Sequence, residues 1–97
     1  MSIIYVATYC DINRETGSFI SHVLIGAYLQ REKAVRETAK FLYEKGCLVS
    51  NDEISLARRL CSSEAIISEK ELEHMTSDES EDSVIGWIYN IDEIRVQ

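Results

Sequence analysis

The chain has 97 residues, of which 45% are hydrophobic and 28% charged, with a formal net charge of -7. This length predicts a single domain over residues 1–97, and the composition excludes an intrinsically disordered chain. No apolar run approaches the roughly 18 residues that cross a bilayer, and the negative charge disfavours direct binding of nucleic acid or of anionic membrane. Three cysteines, an odd number, favour a reducing and therefore cytoplasmic compartment.

Two segments at the start of the chain have the composition of β-strands. Residues 3–12 and 19–29 are rich in β-branched and aromatic side chains. The polar residues 13–18 between them include Gly17, which tolerates a positive φ, so this region predicts the loop of an antiparallel hairpin.

Regular alternation from an Ile12–Phe19 pair predicts which side chains of the hairpin share a face. One face carries Val6, Thr8, Cys10, Val23 and Ile25, and the other carries Ile3, Tyr5, Ala7, Tyr9, Ile20, Leu24 and Tyr28. Both faces are apolar, and one helix covers only one of them. The second face must therefore meet short helices or a second copy of the protein, which predicts a homodimer with Tyr5, Tyr9 and Tyr28 as candidate partner-binding residues.

The pattern changes to a helical period after the hairpin. Residues 30–45 place apolar side chains on one side of a helix and charged ones on the other, and Gly46 follows as a C-terminal cap. Ser50 with Glu53 and Ser68 with Glu71 have the spacing of capping boxes, which predicts two short helices, over residues 51–61 and from Ser68 to about residue 75. The first would bury Ile54, Ala57, Leu60 and Cys61.

Negative charge is concentrated in the second half of the chain. Residues 76–83 form an acidic loop with four carboxylates, Asp78, Glu79, Glu81 and Asp82. The apolar residues 84–91 and the following 92–96 predict the last strand, with Trp87 as a core anchor or an interface hot spot. The expected fold is α+β: a three-stranded, mainly antiparallel sheet in the order ββα…β, with one long amphipathic helix on one face and one or two short helices.

The order of hairpin, helix, acidic middle and aromatic last strand resembles that of small accessory proteins of large DNA viruses and phages. The strings Tyr-Leu-Gln-Arg-Glu-Lys-Ala at 28–34 and Gly-Trp-Ile-Tyr-Asn-Ile at 86–91 carry the resemblance. It implies a viral protein that binds a component of the host cytoplasm or of the virion, and it assigns no site residue.

Sequence motifs for catalysis, cofactors and metals are missing from the chain. The glycines are scattered, no Cys-x-x-Cys or His-x-x-x-His pair occurs, and the basic residues form no positive stripe. A nucleophilic Cys10 would need His22 beside it, but regular pairing places His22 opposite Tyr9 and away from Cys10. We therefore expect no enzyme, no cofactor and no metal.

Contact with another protein is the function class that remains. We expect a small protein-binding or regulatory module that self-associates, with Tyr5, Tyr9, Tyr28, Trp87 and the acidic loop as its candidate contacts. The alternative is an acidic inhibitor that mimics nucleic acid and occupies the cationic site of a nucleic-acid enzyme. Salt separates the two, because a complex led by charge weakens steeply as ionic strength rises.

Overall fold

The structure, a computed structural model, describes residues 2–48, 52–62, 66–76 and 85–97. Three strands and three helices make an α+β fold, which confirms the predicted class. In chain order they are β1 (Ser2–Asn13), β2 (Phe19–Tyr28), α1 (Arg31–Glu44), α2 (Glu53–Cys61), α3 (Glu69–Met75) and β3 (Ile85–Val96). The helices have 14, 9 and 7 residues, so three helices share the helical layer and no single long helix dominates it.

The sheet has the order β2-β1-β3, and both pairings are antiparallel. The first strand therefore occupies the centre, where neighbours pair with both of its edges. This position suits a segment made mainly of β-branched, aromatic and small apolar residues. The pairing of β1 with β3 is regular along all 12 residues, from Ser2 opposite Val96 to Asn13 opposite Ile85.

The hairpin loop is closed by local hydrogen bonds. Asn13 Oδ1 accepts the backbone N–H groups of Glu15 at 2.9 Å and Thr16 at 3.3 Å. Gly17 has φ 74°, a left-handed conformation that suits glycine. The loop sets Ile12 opposite Phe19, as predicted.

The pairing of β1 with β2 has two irregularities, between Ala7 and Thr8 and between Asp11 and Ile12. An extra residue at a bulge moves every following side chain to the opposite face. Val23 consequently pairs with Tyr9 and Leu24 with Thr8. The predicted faces of β2 are therefore wrong for Val23, Ile25 and Leu24: Val23 and Ile25 pack on the core, and Leu24 is 66% exposed on the other side.

The first helix covers the aromatic face of the sheet. Its buried residues follow a helical period: Ala34, Val35, Thr38, Ala39 and Leu42. Small side chains at 34 and 39 let the helix lie close to the strands, while Leu42 is fully buried. The core joins this stripe to Tyr9 and to side chains from α2, α3 and the segment before α3: Leu56, Leu60, Ile67, Leu72 and Met75.

The short helices begin at side-chain caps. Ser68 Oγ accepts the backbone N–H of Glu71 at 3.1 Å, so the serine half of the predicted capping box of α3 is confirmed. The predicted capping box of α2 is wrong, because the N-cap is Asp52, which accepts the N–H of Ser55 at 3.0 Å. Aspartate serves the same role as serine at this position.

The buried stripe of α2 also differs from the prediction. Leu56 and Leu60 are buried, whereas Ile54 is 69% exposed and Cys61 is exposed. On the same helix, Arg59 forms a two-pronged ion pair with Glu71 of α3. The pair joins the two short helices, so the Glu71 carboxylate binds Arg59 in place of closing a capping box.

The described helices all pack on the same side of the sheet. The molecule measures 43 × 36 × 18 Å, and a layer of helices of about 10 Å diameter on one sheet accounts for the shortest dimension. The opposite side of the sheet therefore has no covering element among the described residues. Within the same residues, every helix is too short to span a membrane.

We predict that Gly46→Ala lowers the free energy of unfolding by about 1 kcal/mol, since Gly46 has φ 75° at the end of α1. Its N–H donates to the carbonyl of Tyr43, and the N–H of Cys47 donates to that of Leu42, which together end the helix. An added Cβ at Gly46 would meet no atom within 4 Å, so the cost is conformational. Urea denaturation measures the free energy of unfolding of each variant. Gly46→Asn should lower it less than Gly46→Ala does. A Gly46→Ala variant as stable as the wild type would contradict the prediction.

Candidate protein-interaction surfaces

The acidic residues predicted to bind a partner, Asp78, Glu79, Glu81 and Asp82, lie outside the described residues. The tyrosines lie within them, on the face that the helices cover. Tyr9 is buried at 4% exposure, and Tyr5 and Tyr28 are half-buried. Their role in partner binding stays a prediction, and the face that lacks a cover is the opposite one.

Tyr9 is fixed by a short chain of hydrogen bonds at the end of the core. Its hydroxyl donates to Asp11 Oδ1 at 2.8 Å, and Ser21 Oγ donates to Asp11 Oδ2 at 2.8 Å. These donors hold the pKa of Asp11 below its ordinary value, the Ser21 bond contributing most. Burial, reinforced by the bond to Asp11, raises the pKa of Tyr9 far above its ordinary value. The phenol is therefore a structural donor that stays protonated.

Trp87 lies between two tyrosines on the helix side of β3. Its ring centroid is 6.1 Å from that of Tyr9 and 6.5 Å from that of Tyr89, both stacked. The side chain is half-buried and packs against the core, as a core anchor does. It also lines a concavity of about 220 Å³ with Thr76, Ile88 and Tyr89, so part of its surface faces outward.

The uncovered side of the sheet, here called the open face, is mainly apolar. Register assigns to it Val6, Thr8, Cys10 and Ile12 of β1, Phe19, His22 and Leu24 of β2, and Ile88, Asn90, Asp92 and Ile94 of β3. Phe19 and Leu24 are 69% and 66% exposed. A groove of about 350 Å³ crosses the face between Phe19 and Asp92. Its exposed apolar side chains make this face a candidate interaction surface.

Cys10 and His22 are direct cross-strand neighbours on the open face. The prediction that His22 points away from Cys10 is therefore wrong, because the bulge beside Asp11 shifts the register by one residue. An activated thiol also requires a base held by a third group. No hydrogen bond of either side chain is found in the described parts of the chain, and the pair alone assigns no reaction.

The described residues also lack a cluster of groups that could bind a metal ion. In residues 2–48, 52–62, 66–76 and 85–97, no three His, Cys, Asp or Glu side chains lie close enough to hold one ion. The cysteines are free thiols, with Cys10 and Cys47 half-buried and Cys61 exposed. Burial is the largest effect on Cys47 and raises the pKa of its thiol.

A polar concavity between α3 and β3 was not predicted. It has a volume of about 300 Å³ and is lined by Arg31, Glu69, Glu73, Tyr89, Asn90 and Ile91. Arg31 binds Glu69 at 2.6 Å across it. One feature of the sequence indicated part of this site: Glu69 and Glu73 are four residues apart on a helix and therefore share a face. Nothing in the sequence indicated that this helix lies beside β3.

Comparison with known proteins identifies no relative: no family model, no curated protein and no solved structure matches this chain. The resemblance to viral and phage accessory proteins therefore stays a prediction. The surfaces themselves are the basis for any assignment of function.

We predict that Asp11→Asn weakens the fold at neutral pH and that this loss disappears in acid. Because the pKa of Asp11 is lowered in the folded state, its contribution is present above the unfolded value of about 3.9 and is lost as pH falls through the folded value. Urea midpoints of the wild type and the variant should therefore converge below about pH 4. Ser21→Ala removes the main donor and should show a smaller loss of the same form; a difference that is constant with pH would contradict the assignment.

Proposed function

We propose that this protein is a non-enzymatic protein-binding module that self-associates through the open face. The observation that carries the proposal is the apolar sheet side without a cover in the described residues, with Leu24 and Phe19 protruding from it. A second copy would bury the same side chains on both partners, since a two-fold contact uses one surface twice.

The size of the open face supports a specific contact. Three strands of 12, 10 and 12 residues, about 4.8 Å apart and rising about 3.4 Å per residue, give a face of roughly 550 Å². Two copies together would remove roughly 1,100 Å² from water, near the lower bound of about 1,000 Å² for a specific interface. Sheets pack face to face in this way in β-sandwiches.

Charge also favours a second copy as the occupant. Each chain carries a net charge of -7, which opposes contact between acidic surfaces. Among the described residues, the alternation of the strands gives the open face a single carboxylate, Asp92, which lies opposite Val6. Two copies can therefore meet through the open face with less repulsion than through surfaces that carry more carboxylates.

We predict that Leu24→Lys weakens self-association at least about tenfold, because an ammonium group would be buried against apolar side chains. Leu24 is 66% exposed, so the monomer should fold normally. Leu29→Lys is the matched control: Leu29 is 78% exposed and follows β2, outside the sheet. Sedimentation velocity over a concentration series measures the effect; a wild type that stays monomeric, or equal effects of both variants, would refute the proposal.

We predict that self-association holds or strengthens as salt rises from about 0.05 to 0.5 M, since screening reduces repulsion between the two negative chains. Hydrophobic contact itself depends little on screening. Dissociation constants from the same sedimentation experiment give the salt dependence. A steep weakening with salt would instead indicate a contact led by opposite charges, the type expected of an acidic inhibitor on a cationic site.

A further inference from the structure

The two edges of the sheet differ in regularity. The β2 edge is interrupted by two bulges, which obstruct the addition of another strand. The β3 edge pairs with β1 residue by residue along all 12 of its residues, without proline or positive φ. Among the described residues, no strand pairs with the outer edge of β3. A regular edge of this kind presents a row of backbone donors and acceptors.

The middle of β3 lies between concavities on different sides. The polar one of about 300 Å³ lies on the helix side and includes Tyr89 and Ile91. The aromatic one of about 220 Å³ lies at Trp87 and Tyr89, and the groove of the open face reaches Ile88 and Asn90. A strand added to an edge points its side chains alternately to the two faces. The concavities beside the middle of β3 therefore offer space for the side chains of an added strand on both of its faces.

The helix-side concavity is negative. Arg31 is bound to Glu69, whereas the Glu73 carboxylate has no hydrogen bond or ion pair within the described parts of the chain. Burial first, and then the charges of Glu73 and Glu69, raise the pKa of Tyr89. A lysine or arginine entering this space would meet the Glu73 carboxylate and the aromatic ring of Tyr89.

We propose that β3 accepts an extended segment of a partner protein as a fourth strand, with basic side chains toward Glu73 and apolar ones over the open face. Backbone hydrogen bonds would hold the segment, and the concavities would select its alternating side chains, as in other cases of strand addition. A second copy of β3 fits this edge less well, since it would bring another Glu73 carboxylate to an already negative site. The inference rests on the proposed protein-binding role, but its backbone contacts are made at the outer edge of β3, which self-association through the open face does not use.

A synthetic peptide tests the edge directly. The probe is acetyl-Lys-Val-Lys-Val-Lys-Val-Lys-Val-amide, with the corresponding Glu-Val peptide as the charge control. Trp87, the single tryptophan of the chain, reports binding by fluorescence because it lies on β3. We expect a saturable change with the Lys-Val peptide and none with the Glu-Val peptide. Equal responses to both peptides, or none to either, would overturn the proposal.

Backbone pairing is tested with two methylated forms of the probe, one N-methylated at the lysines and one at the valines. Successive residues of a strand point their N–H groups to opposite sides, so only one of the two sets faces β3. One form should lose at least about tenfold in affinity and the other should retain most of it. Equal losses of affinity in the two forms, or equal retention, would show that the peptide does not pair with the β3 edge.

Three substitutions complete the test. Glu73→Gln should weaken binding of the Lys-Val peptide several-fold, whereas Glu15→Gln, which makes the same charge change in the hairpin loop, should leave it unchanged; equal effects would overturn the role of Glu73. Leu24→Lys should keep wild-type peptide affinity. Binding by that variant, or by a wild type that stays monomeric, supports the edge site even if self-association fails. Loss of binding in it would overturn the assignment to the edge.

Discussion

Coverage of the sheet on one side only is the constraint on which the rest of the structure depends. The core is formed between the helices and the face that carries Tyr9, Tyr89 and Ile91. Three short helices suffice for that face, because α1 supplies small side chains for close approach and α2 and α3 add leucines. The remaining apolar area faces outward, so the proposed association with another molecule would provide the cover that further helices supply in a larger domain.

The sequence was sufficient for the elements and insufficient for the faces. Composition and period indicated three strands and the helix after the hairpin, since β-branched runs and apolar stripes have distinct spacing. The capping serine of α3 was also recognisable, because Ser68 stands three residues before Glu71. These features depend only on residues close together in the chain, so a single amino-acid sequence is enough to predict them.

Bulges are where this reading failed. Gly26 stands beside one bulge, and a glycine inside a strand is a signal of that irregularity, but no residue type marks the second. The bulges decide that Val23 packs inward and Leu24 outward, and that Cys10 meets His22. The concavity at Glu73 was equally out of reach, because it depends on which strand α3 lies beside. Both depend on pairings between segments distant in sequence, which the period of one segment does not specify. The acidic loop lies outside the described residues, so its part in binding stays a prediction.

The regular β3 strand also bears on the tendency of the protein to aggregate. A straight, proline-free edge next to an apolar surface is the arrangement that nucleates fibres in other proteins. Here β3 carries two neighbouring carboxylates, Asp92 and Glu93. Repulsion between these groups on adjacent copies would oppose stacking of one chain on the next. Carboxylates at these two positions would thus act as gatekeepers, leaving the strand available for the proposed pairing with a partner segment while opposing its pairing with further copies of itself.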